Sequence, residues 1–167
     1  MLPTAATIAT VTSSLTVVVA VVFGVLTLRQ WRRARYLSAA AELVSTIRAP
    51  EFTRSIAHIV ELPEAAPAEM VLSDPDKLAA LYSIGHVFES LGVLVYHRQL
   101  PLHLVDHLIG GYLRASWRRV RPAVEVRRQT LGVTFGEWFQ WLAERMEEHP
   151  APGKDLGAPV SFRSWRP

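Results

Sequence analysis

The 167-residue chain is 50% hydrophobic, carries a formal charge of +3 and contains no cysteine. The missing cysteines exclude a disulfide framework, a thiolate metal site and a cysteine nucleophile. The charge excess is too small to imply nucleic acid by itself, so the placement of the 18 basic residues, all but two of them arginine, carries the information.

The chain opens on an apolar run. From Ala5 to Leu28 there are 24 residues without a charge, which as a helix reach roughly 36 Å and cross a hydrocarbon core of about 30 Å with some tilt. No basic residue precedes the run and no small-residue cleavage pattern follows it, which argues against a removable leader. A membrane anchor over residues 1–28 is the expectation. Arg29, Arg32, Arg33 and Arg35 flank its C-terminal end, with Trp31 and Tyr36 as interfacial aromatics. The positive-inside rule then places the N-terminus outside and the remaining domain in the cytoplasm, with the arginines among anionic headgroups. Ala9, Ser13, Thr16, Ala20, Gly24 and Thr27 share one helical face, as small residues do where a second membrane helix packs.

Residues 29–149 read as a helical domain. The anchor continues as a helix through "RQWRRARYLSAAAELVSTIRA" to Ala49, because the residue before Pro50 disfavours helix. Pro50 opens "PEFTRSIAHIVEL", with Phe52, Ile56, Ile59 and Val60 on one side. Residues 63–73 read as a loop. Ser73 or Asp74 caps the next helix at Pro75. In it Leu78, Leu81, Gly85, Phe88, Gly92 and Val95 follow a seven-residue repeat, widened by Leu91 and Leu94. The two glycines suggest close helix crossings, since each costs about 1 kcal/mol relative to alanine.

Pro101 starts another helix with Leu104, Leu108, Ile109, Tyr112 and Leu113 apolar, which Pro122 kinks or ends. After the turn "TLGV", Thr134 and Glu137 match a capping box. The last helix then buries Phe135, Trp138, Phe139, Leu142 and Met146. Residues 150–167, with four prolines and two glycines, read as an irregular tail. No alternating strand pattern is present. The expected fold is all-α: one transmembrane helix continuing into a cytoplasmic bundle of about five helices.

The order of these segments resembles a family of uncharacterised bacterial membrane-anchored helical proteins, grouped as a domain of unknown function. The resemblance covers roughly residues 27–148. It rests on the segments "LRQWRRARYLSAAAELV", "PEFTRSIAHIVEL", "HVFESLGVLV", "YLRASWRRVRPAVEVRR" and "FGEWFQWLAERM". It implies an all-α cytoplasmic domain in the bacterial inner membrane, no activity and no functional residues.

The chemistry-bearing constellations are sparse. His103 and His107 sit four apart with Asp106 between them, a chelating spacing without the further ligands a metal site needs. His86 and Glu89 are half of a di-iron pattern whose second half is absent. Metal, cofactor and catalytic residues are therefore not expected.

A second basic cluster holds Arg114, Arg118, Arg119, Arg121, Arg127 and Arg128 around Trp117, offset locally by Glu125 alone. It reads either as a solvated face paired with Glu137, Glu144, Glu147 and Glu148, or as a contact to anionic lipid or a membrane partner. Nucleic acid is disfavoured because no reading module accompanies the charge. Phe162, Arg163, Trp165 and Arg166 are interface-type residues in the tail.

The functional expectation is a non-enzymatic single-span protein, a scaffold or accessory subunit of a larger membrane complex of respiratory or photosynthetic type. Its partners would be membrane lipids and integral membrane proteins. The alternative is a membrane-anchored sensor holding a small ligand near Gly85, Gly92 and Tyr96.

Overall fold

A computed structural model describes residues 21–31, 37–151 and 157–166, and every regular element among them is helical. The chain divides into two compact units, Met1–Ala39 and Ala40–Pro167. In the first, residues 21–31 are helical and exposed throughout. Most of the expected Ala5–Leu28 span lies outside the described residues.

The second unit begins with helical residues 40–48, whose Leu43 is buried. Ala49 then adopts extended geometry (φ −60°, ψ 130°) and α1 (Pro50–Val60) starts on its proline. Phe52, Ile56 and Ile59, one helical face, are buried. The segment expected to be a loop contains a short helix, α2 (Ala68–Leu72). Burial overrides its weak local signal: Val71 is completely enclosed, as is Ala66 before it.

The long helix α3 (Pro75–Tyr96) is capped by Asp74, which accepts from the Asp76 and Lys77 amides at 3.0 and 3.2 Å. The hydrogen bond from Lys77 is the main reason the Asp74 carboxyl titrates below its ordinary range. Its buried positions are Ala80, Leu81, Ile84, Phe88, Leu91 and Gly92. Leu78, Gly85 and Val95 of the seven-residue repeat are only half-buried. The repeat describes a narrow seam, whereas α3 is packed by α1, α2, α4 and α5 together and buries a wider face.

The next helix, α4, runs from Leu102 to Leu131 without ending at Pro122. Proline has no amide hydrogen and so leaves the carbonyl four residues earlier, Arg118, without its helical donor. The Ala65 amide, from the loop between α1 and α2, donates to that carbonyl at 2.9 Å. The helix survives its proline because another segment satisfies the orphaned acceptor.

The last long helix, α5, spans Glu137–Glu148, later than expected. No capping box forms: its N-cap is Gly136, in left-handed geometry at φ 70°, with no side-chain cap of its own. A Cβ there would also approach the Val124 methyl to 2.9 Å, so glycine is required twice over. Phe135 and Trp138 are consequently half-buried, while Phe139, Leu142 and Met146 enter the core. The core is crossed by touching rings, Phe52 to Phe88 at 5.9 Å, Phe88 to Phe139 at 4.7 Å and Trp117 to Phe139 at 5.2 Å. Within the expected irregular tail a short helix, α6 (Ala158–Ser161), is present.

Candidate functional site

The arginines of α4 divide by what they touch. Arg119 donates through Nε to the Leu62 carbonyl at 2.8 Å, and Arg118 reaches Glu64 at 3.2 Å and Glu147 at 3.6 Å. Together with the Ala65 bond to the Arg118 carbonyl, these contacts fasten the loop between α1 and α2 onto α4. Arg121 pairs with Glu125 at 2.7 Å, and Arg128 holds the Phe135 carbonyl and the Gln140 side chain, each at 2.8 Å. Trp117, which sits among these arginines in sequence, is buried against Phe139. Much of the apparent basic patch is thus compensated within the fold. Of the acids expected to offset it, Glu147 meets Arg118, while Glu144 accepts from Gln140.

Arg114 faces the interior. Its Nη1 lies 2.7 Å from Asp106, a carboxylate with 0% exposure whose other oxygen accepts the Ala151 amide at 2.8 Å. Asp106 therefore ties α4 to the segment after α5. His103 and His107 are exposed, and the His107 ring meets Phe162 at 6.3 Å. Among the described residues, no group of three or more His, Asp or Glu is placed to hold a metal ion. The sequence clue to Asp106 was an acid on the buried face of a helix with an arginine two turns on.

Helix α3 carries two glycines with different environments. A Cβ on Gly92 would lie 2.6 Å from the Trp138 carbonyl oxygen and 2.8 Å from its Cβ, so here α3 and α5 meet backbone to backbone. The Trp138 ring contacts Tyr96 at 5.0 Å, tilted, and Trp141 at 5.7 Å, edge-on, and Tyr96 stays exposed. At Gly85 a Cβ would meet nothing within 4 Å. Gly85 borders a cavity of about 220 Å³, walled by Tyr82, Phe135 and Phe139 and edged by His86 and Glu89.

Glu89 supplies the cap that Gly136 lacks. Its Oε1 accepts the Phe139 amide at 2.7 Å, and the Trp138 amide also contributes. A carboxylate at a helix N-terminus satisfies free donors and complements the dipole. Burial nevertheless dominates and pushes the Glu89 carboxyl above its ordinary value; the two amides and Arg128 pull it back, and Glu137 adds to the rise. Sequence reasoning missed this role, because the acceptor lies 50 residues from the amide it serves. A glycine at a helix start, without Ser, Thr or Asp, was the available signal.

Of the small-residue face, Gly24 and Thr27 are described and line a shallow groove with Phe23, Leu28 and Trp31. Ala9, Ser13, Thr16 and Ala20, and the arginines at 32, 33 and 35, lie outside the described residues. In the tail, Phe162 and Trp165 are exposed, the latter at 68%.

No curated protein matches the chain significantly, and neither does any solved structure. Residues 14–146 match a family described as a domain of unknown function, DUF4760, and this region takes in the latter half of the apolar run. With most of its length inside that match, the chain belongs to the DUF4760 family.

Proposed function

We propose that this protein is a single-span protein of the bacterial inner membrane, with its N-terminus outside and its helical domain in the cytoplasm. It serves as a non-enzymatic scaffold or accessory subunit of a larger membrane complex. One observation carries the reading: residues 21–31 form a helix whose apolar side chains are bare, with Phe23 at 70% and Trp31 at 66% exposure. A largely apolar exposed helical surface such as residues 21–28 is unfavourable in water and suited to lipid. Arg29 and the arginines that follow Trp31 supply the positive-inside signal, and Trp31 is the residue type that settles at a membrane interface. That the family match begins at residue 14, inside the run, supports an integral anchor over a removable leader. The scaffold role is supported by exposed Phe162 and Trp165 as contact residues. The test is purification of the intact protein from membranes in a mild detergent. Stoichiometric integral membrane partners are expected; a clean monomer at every stage overturns the scaffold reading, and recovery in the soluble fraction overturns the anchor.

A further inference from the structure

The cavity beside Gly85 has a chemistry of its own. Its walls are aromatic and aliphatic, Tyr82, Phe135 and Phe139 with Leu81 and Val124, and the only formal charge in its lining is the Glu89 carboxylate. One oxygen of Glu89 is committed to the start of α5, which fixes the carboxylate in place. His86, one turn earlier, is exposed at the rim. An anion would meet the carboxylate. A neutral apolar guest would remove water from Glu89 without compensating its charge, at a penalty. A small cation with an apolar shell answers both walls: its charge faces the carboxylate, and its carbon-bound hydrogens face the rings.

Tyr82 already shows this preference, since the Arg127 guanidinium lies 5.9 Å from its ring centroid. The charges around the cavity set the limit of affinity. Arg127 on Tyr82 and Arg128 opposite Glu89 oppose a cation; Glu137 favours it.

We infer that this cavity, bordered by Gly85 and polarised by Glu89, is a binding site for a small alkylammonium ion. The site is contained in the helical domain and depends on neither the anchor nor a partner complex. Its affinity falls on the order of 1 mM, as suits a small ligand with a single compensated charge.

The probe is choline, compared with its uncharged carbon isostere dimethylbutanol, titrated calorimetrically into the full chain in a maltoside detergent. Wild type is expected to bind choline saturably and at least about tenfold more tightly than the isostere. Gly85→Leu places a side chain in the cavity without altering charge; Glu89→Gln removes the charge while keeping an acceptor for the Phe139 amide. Each is expected to weaken choline binding about tenfold or more, with the melting temperature checked in parallel. Absence of saturable binding to wild type up to about 50 mM choline overturns the proposal, as does equal affinity for the isostere or undiminished binding in a folded variant. If Gly85→Leu fails to fold, the isostere and Glu89→Gln comparisons decide.

Discussion

Two apolar helices of this chain meet opposite fates. Residues 21–31 are exposed at every position, whereas α3 lies at the centre of the second unit, with Leu81, Ile84 and Phe88 enclosed. Among the described residues, α3 is the helix long and apolar enough to cross a membrane, yet α1, α4 and α5 pack around it. The difference lies in the polar residues each carries. Helix α3 places Lys77 on its Asp74 cap and Glu89 on the start of α5, so its polar groups have partners inside the fold. Residues 21–28 have only a glycine and a threonine among aliphatic and aromatic side chains. Apolar composition alone therefore does not say whether a helix is enclosed by the rest of the fold.

The sharpest break of this comparison is a pair of charges in the first helix. Val22→Asp combined with Val25→Asp is expected to cost about 5–7 kcal/mol of insertion if the segment lies in lipid. Membrane fractionation with carbonate extraction should show the protein released, with the thermal transition of the helical domain unchanged. In α3 the opposite separation is expected. Phe88→Ala removes a fully enclosed ring that joins Phe52 to Phe139 and is expected to cost about 3–5 kcal/mol in denaturant unfolding, leaving membrane association intact.

The two glycines of α3 refine the contrast at the scale of one methyl group. Gly92→Ala forces a Cβ against the Trp138 backbone, which has no flexible end to move aside, and is expected to destabilise by about 1–3 kcal/mol. Gly85→Ala meets open space and should stabilise by up to about 1 kcal/mol through helix propensity. Equal melting shifts for the two variants would sink the assignment of one glycine to a crossing and the other to a cavity.

The cap on α5 tests the same helix through Glu89. Glu89→Ala leaves the first amides of α5 without their acceptor and is expected to cost about 1–2 kcal/mol. Because the folded chain holds this proton more tightly than the unfolded chain, the stability linked to it is complete below the ordinary value of 4.5 and declines as pH rises through the higher folded value. Glu89→Gln should abolish that part of the slope in denaturation curves taken from pH 4.5 upward; an unchanged slope would assign it to another group.

Legibility differed by element for physical reasons. The boundary at Ala49, the Asp74 cap and the buried Phe52, Ile56 and Ile59 were readable because each rests on interactions within a few residues. The short helix α2 was not, since its order comes from Val71 packing into the core. Thr134 and Glu137 carried a capping signature that lost to the left-handed Gly136 and to Glu89 from another helix. The α4 cluster read either as a face paired with acids that include Glu147 or as a contact surface; Glu147 does meet Arg118, whereas the partners Leu62 and Glu64 are invisible in sequence.

By itself the sequence determined the helical class, the order of the long helices and the place of the bare apolar segment, because periodicity, proline geometry and charge act locally along the chain. Tertiary structure alone decided that Pro122 stays within a helix, that Asp106 holds the Ala151 amide, that Glu89 caps α5 and that Gly85 borders open space. Each of these depends on a group brought from elsewhere in the chain, or on the lack of one, and no local pattern records which neighbour will arrive.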